Sequence, residues 1–208
     1  RCSKSMKKII IAVIAVVLAA TAYFVYEPQV KITNYPSPGT DVVAFGDSLV
    51  LGVGSMRTGG FVRMLSEDLN IPIANLGVSG DTTQSAINRL RQISKYNPKV
   101  VILLLGGNDF LTRMPAEQIF TNLDMIIEAI HETRSTVLLL GLEDKTIDNK
   151  HEELFNKLVE KRGVAYVPDI LNGIFSQPEL MSDHLHPNDE GYRIIADRIK
   201  PVLEKLLF

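Results

Sequence analysis

The chain has 208 residues, 46% of them hydrophobic, with a net charge of −2 and a single cysteine. That length suits one domain with an appendage. The near-neutral balance leaves no electrostatic footprint for nucleic acid, and a lone Cys2 rules out a disulfide framework or a cysteine-rich metal site within the chain.

Residues 9–26 form a run of eighteen residues without a charge, behind Arg1, Lys4, Lys7 and Lys8 and just ahead of Pro28. As a helix rising 1.5 Å per residue, such a run spans about 27 Å, close to the roughly 30 Å hydrocarbon core of a bilayer. The flanking cations would hold its N-terminal side in the cytoplasm. Two readings share this pattern. An uncleaved membrane-spanning helix would use Tyr23 and Tyr26 as interfacial anchors, and a cleaved signal peptide would use the small-x-small step Ala20-Thr21-Ala22. Both expect export, with the membrane as partner of residues 1–26 in the first. Residues 27–40 carry Pro28, Pro36, Pro38 and Gly39 and read as an extended linker to a domain at 41–208.

Within that domain, residues 41–46 are a short apolar run ending at glycine and predict a buried strand. Apolar positions 61, 62, 64, 65 and 69 predict a helix over 60–69. A second strand is expected at 73–77 and a helix over 82–95, with Asp81 or Thr82 as its N-cap. Residues 99–105 lack polar alternation, as in a strand covered on both faces. A helix over 115–132, a strand at 136–141, a helix over 150–162, a strand at 164–168 and a closing helix over 188–207 complete the pattern. Alternating strands and helices predict an α/β class, a three-layer α/β/α sandwich with every strand's C-terminal end on one edge.

Four short motifs fall at that edge. They are Gly46-Asp47-Ser48-Leu49, Val78-Ser79-Gly80-Asp81, Gly106-Gly107-Asn108-Asp109 and Asp183-His184-Leu185-His186-Pro187. Together, in this order, they resemble the SGNH hydrolases, or GDSL esterase family, and most closely its compact bacterial thioesterase, lysophospholipase and arylesterase type. The family's Ser, Gly, Asn and His match Ser48, Gly80, Asn108 and His186, with Asp183 three residues before the histidine. The resemblance covers nearly the whole domain. It implies a flavodoxin-like parallel five-stranded sheet in the order 2-1-3-4-5, and no metal or organic cofactor.

The chemistry is coherent on its own terms. A serine hydroxyl is a weak nucleophile and needs an adjacent base. His186 is the candidate base for Ser48, and Asp183 the group that orients its ring and stabilises the imidazolium. By resemblance, the oxyanion of the tetrahedral intermediate would be met by the Ser48 N–H, the Gly80 N–H and the Asn108 amide. Phe110, Leu111, Met114 and Met181 follow these motifs and are candidate acyl-pocket residues, with plain core packing as the competing reading. His184 reads as a loop residue at the site mouth, Asp109 as a buttress of its loop, and His131 and His151 as surface residues. A metal set of Asp183, His184 and His186 lacks a completing ligand. The glycines of 46–60 lack the third glycine and the Lys-Ser/Thr of nucleotide-binding loops.

The expected activity is hydrolysis of carboxylic esters or thioesters through an acyl-Ser48 intermediate. The substrate would be a small-molecule or lipid ester of short or medium acyl length, with lysophospholipid attractive near a membrane. A carbohydrate O-acetylesterase acting on envelope polysaccharide and a catalytically inactive binding module are the alternatives.

Overall fold

The computed structural model describes residues 31–142 and 149–208. The apolar run 9–26 lies outside them. Among the described residues, no helix is long and apolar enough to cross a membrane.

Five parallel strands, β1 (Asp41–Gly46), β2 (Ile73–Gly77), β3 (Pro98–Leu104), β4 (Thr136–Leu140) and β5 (Ala165–Val167), stand in the order β2-β1-β3-β4-β5. The helices are α1 (Ser48–Leu51), α2 (Gly60–Leu69), α3 (Thr83–Ile87), α4 (Gly107–Leu111), α5 (Ala116–Glu132), α6 (Asn149–Arg162) and α7 (Asp189–Leu207). Successive strand side chains point to opposite faces, so β1 and β3 feed two cores. Val42, Ala44, Val100 and Ile102 pack with Phe61 and Leu65 of α2 and Tyr192, Ile195 and Ile199 of α7. Val43, Phe45, Val101 and Leu103 pack with Leu123, Ile126 and Ile127 of α5 and Phe155 of α6. Burial on both sides is why these strands read as unbroken apolar runs.

The order reverses at β1, which lies between β2 and β3. Chains leaving β1 and β3 diverge there and open a crevice beyond the strands' C-terminal ends. Ser48 follows β1 and Asn108 follows β3.

The structure departs from the sequence expectation in three places. The helix expected over 82–95 is broken: α3 ends at Ile87, a 3₁₀ helix runs Leu90–Lys95, and Arg89 between them has left helical geometry at φ −116°. Its guanidinium reaches the ends of β1 and β2. Short helices at Ser48–Leu51 and Gly107–Leu111 are too brief for periodicity to announce.

Finally, the linker expected over 27–40 is not free across 31–40. Thr33 Oγ1 donates to the Arg162 carbonyl at 2.8 Å, Asn34 Nδ2 to that of His131 at 2.9 Å, Ser37 Oγ to that of Arg134 at 3.0 Å and Tyr35 OH to that of Lys205 at 2.9 Å. Each acceptor sits at or just past the C-terminal end of α5, α6 or α7, where carbonyls lack the N–H of a further helical turn, that of His131 accepting the Arg134 N–H as well. The polar side chains of 31–40 satisfy them, so this stretch belongs to the body, Lys31–Phe208. The strap runs at the edge opposite Ser48.

Candidate active site

Ser48 opens α1 directly after β1. Asp47 caps that helix by accepting the Leu49 N–H at 3.0 Å. Ser48 is itself 8% exposed, with its hydroxyl 3.0 Å from His186 Nε2. The other imidazole nitrogen, Nδ1, lies 2.8 Å from Asp183 Oδ2. With both ring nitrogens engaged, His186 has none left for a metal. No group of three His, Cys, Asp or Glu among the described residues is arranged to hold one.

The three-residue offset between Asp183 and His186 has a local cause. Asp183 Oδ1 accepts the backbone N–H groups of Leu185 at 2.7 Å and His186 at 2.8 Å, and the turn is closed by Ser182 N–H on the His186 carbonyl at 2.8 Å. One carboxylate thereby shapes the loop and holds the ring. The His186 hydrogen bond, followed by those two backbone donors, brings the Asp183 pKa down to about 2.

Asp47 behaves oppositely. Burial pushes its pKa up to about 7, against the Leu49 hydrogen bond and with help from the nearby Asp81 and Asp109 carboxylates.

Gly80 has φ +78°, and a Cβ there would meet nothing within 4 Å. The glycine is therefore needed for its backbone conformation and not for room inside the protein. Asn108 donates one amide hydrogen to the Asp81 carbonyl at 2.9 Å, which leaves the second for another acceptor. Asp109 is fully buried and accepts from Thr83 N–H at 2.9 Å and Thr83 Oγ1 at 2.5 Å. It ties α4 to α3, as a buttress should.

The loop after α1 is latched to the first turn of α7, which follows the histidine loop directly. Tyr192 OH donates to the Val53 carbonyl at 2.6 Å. Asp189 accepts from Ser55 Oγ at 2.5 Å and Thr58 Oγ1 at 2.7 Å, and these hydroxyls hold its carboxyl well below the usual range. Gly54 sits so close that a Cβ would lie 2.5 Å from the Pro187 carbonyl oxygen and 3.0 Å from His186 Cβ.

A cleft of about 770 Å³ opens beside Ser48 and His186 and runs between α5 and α6. Phe110 and Leu111 line it, as expected. Met114 and Met181 do not: Met114 packs on the core under α5, and Met181 on the opposite core, where it bridges to Pro187. Both are half-buried and pack against the edge of a core. Phe120, Leu123 and Phe155 form the depth of the cleft instead. They sit on long helices, and their periodic pattern says only that they face inward. His184 is at the mouth, and His151, expected on the surface, lines the wall against Phe110 at 6.0 Å between ring centroids. His131 is half-buried, with Nε2 inaccessible and without a partner.

Residues 44–194 match the model of the GDSL-like lipase/acylhydrolase family. The chain is similar to an arylesterase of Vibrio mimicus, 28% identical over 178 residues, covering 80% of this chain and 89% of that protein. It is 25% identical over 187 residues to the thioesterase 1/protease 1/lysophospholipase L1 of Escherichia coli strain K12, covering 86% and 90% respectively. The crystal structure of TesA superposes with a TM-score of 0.74 at 26% identity, covering 81% of this chain and 100% of that one.

Proposed function

Because the chain belongs to the GDSL-like lipase/acylhydrolase family and is a serine hydrolase of the esterase and thioesterase kind, we propose that Ser48, His186 and Asp183 carry the reaction on acyl esters of medium chain length. The observation that supports this most is the unbroken relay from Asp183 through His186 to Ser48, at 2.8 and 3.0 Å, at the mouth of an apolar cleft.

In this reading, Ser48 Oγ attacks the acyl carbon as His186 Nε2 takes its proton. The carbonyl π pair moves onto oxygen, and the oxyanion meets the Ser48 N–H, the Gly80 N–H and the second amide hydrogen of Asn108. Collapse breaks the bond to the alcohol or thiol, which leaves with the proton held by His186. A water then attacks the acyl-Ser48, His186 takes its proton, and release of the acid returns that proton to Ser48. Asp183 stabilises the imidazolium in both halves.

The cleft walls favour a hydrocarbon chain. Phe110, Leu111, Leu123 and Phe155 offer an acetyl group more apolar surface than it can use, so an O-acetylesterase is the weaker reading. Lysophospholipids and acyl thioesters both present a chain of this kind. Export remains part of the proposal, resting on the uncharged run 9–26 behind four cations, with a membrane as partner if that run is retained. Protease added to intact cells should then digest the domain.

A fluorophosphonate should label Ser48 and abolish hydrolysis of nitrophenyl esters, with kcat/KM highest for chains longer than acetyl. Labelling at another serine, or an optimum at acetyl, would overturn the assignment or the acyl preference respectively.

A further inference from the structure

We propose that Arg89 is a positioning residue for the oxyanion-binding donors, acting through the ends of β1 and β2 and the Asp81 turn. The proposal rests on the reading that Ser48, Gly80 and Asn108 supply those donors.

The Arg89 side chain is 12% exposed, and its three kinds of nitrogen go to three segments. Nε donates to Asp81 Oδ2 at 2.6 Å, Nη1 to the Leu76 carbonyl at 2.8 Å and Nη2 to the Gly46 carbonyl at 2.8 Å. The guanidinium carbon lies 4.0 Å from the centroid of the Phe45 ring, a face it can stack on. Gly46 is two residues before Ser48. Its carbonyl also receives the Val78 N–H at 2.9 Å, so it joins the β1 exit to the loop that carries Gly80. Asp81 follows Gly80 directly, and its carbonyl holds the Asn108 amide at 2.9 Å.

Each of the three donors is therefore one or two residues, or one hydrogen bond, away from a residue that Arg89 holds, with Asn108 bound to the main chain of Asp81 and Arg89 to its side chain. Asp81, with a side chain 4% exposed, is further fixed by Ser85 Oγ at 2.5 Å. A lysine could not reproduce this, because an ammonium lacks the planar fork that reaches three acceptors at fixed angles. The break in the helix expected over 82–95 falls at this same residue.

Displacing catalytic groups by about 1 Å can cost around 100-fold in rate. The test compares Arg89→Lys, Arg89→Ala, Asn108→Ala and the Arg89→Lys/Asn108→Ala pair on a nitrophenyl ester. Expected for Arg89→Lys is a fall in kcat of roughly 10- to 100-fold, KM within about 2-fold, and an unmoved acid limb of the pH profile, because the base is untouched. Guanidinium ion should restore part of the lost kcat in Arg89→Ala. In the Asn108→Ala background, Arg89→Lys should cost less than it does alone, since both act on one feature.

A normal kcat in Arg89→Lys beside a large loss in Asn108→Ala would overturn the role of Arg89 and leave the donor assignment standing. A normal kcat in Asn108→Ala would overturn the donor assignment itself. A lower melting temperature with kcat unchanged in Arg89→Lys would reduce Arg89 to a structural residue.

Discussion

Ser48 and His186 are separated by 138 positions in the chain, and the fold brings Oγ of one to 3.0 Å from Nε2 of the other. The loop after Ser48 is fastened to α7 by Tyr192 on Val53 and by Asp189 on Ser55 and Thr58, bonds that pass through neither member of the pair. Removing either member of the pair should leave the fold intact and lower kcat/KM by about 10⁴-fold or more, and removing both should cost little extra, since the pair acts as a unit. His184→Ala should stay within about 10-fold of the parent, a loss far smaller than removal of a catalytic base brings. Ester hydrolysis by the four variants is the measurement. An essential His184 beside a dispensable His186 would reverse the roles.

Asp183 is a carboxylate with a pKa near 2, so it remains charged across any working pH. Asp183→Asn keeps an oxygen for the Leu185 and His186 N–H groups but loses the charge beside the imidazolium. A buried aspartate replaced in this way costs about 10⁴-fold in kcat. The Asp183 side chain is 52% exposed, and water screens its charge. The expected loss is therefore smaller, roughly 100-fold, set against that buried case. Stopped-flow acylation rates should show it, and an unchanged rate would remove Asp183 from the relay.

Asp47 makes the stability of the protein pH-dependent. Its folded pKa of about 7 lies above its ordinary value of 3.8. Between those values the folded protein keeps a proton that the unfolded chain has released. The contribution is thus complete below 3.8, declines as pH rises toward 7 and is level beyond it. Asp47→Asn can still accept the Leu49 N–H and has no charge to bury. Urea midpoints at pH 5 and pH 8 should fall more steeply with pH in the parent than in the variant. Parallel slopes would show that Asp47 titrates normally.

Gly80→Ala separates a backbone cost from a substrate cost. At φ +78°, with open space around the added Cβ, the penalty to stability should be about 1 kcal/mol, the cost of a left-handed residue. If the Gly80 N–H meets the oxyanion as proposed, the methyl group would stand beside the substrate, and kcat/KM should fall further than that strain accounts for. Thermal denaturation and ester kinetics on one preparation would decide. A large loss of stability would mean that the loop is packed more tightly than the open space implies.

The four motifs, their order and the parallel α/β pattern were readable along the chain because each depends on local facts. A strand covered on both faces is an unbroken apolar run, as in β3, and a tight turn after a strand asks for glycine, as at Gly106 with φ +116°. His186 was also readable as the candidate base for Ser48, because a serine nucleophile needs one and the motifs stand in the order of the family they resemble. What the linear pattern could not convey was direction. Phe155 and Met114 pack in the same core, yet Phe155 also lines the cleft and Met114 does not. The stretch 31–40 looked like a linker by its prolines, but its fate was decided by carbonyls at helix ends more than ninety residues away in sequence. Arg89 looked like one more cation on a helix. Only the assembled sheet, with two strand-end carbonyls and a buried carboxylate converging on one point, determined that it must turn inward, because buried polar groups need partners and a guanidinium can satisfy all three at once.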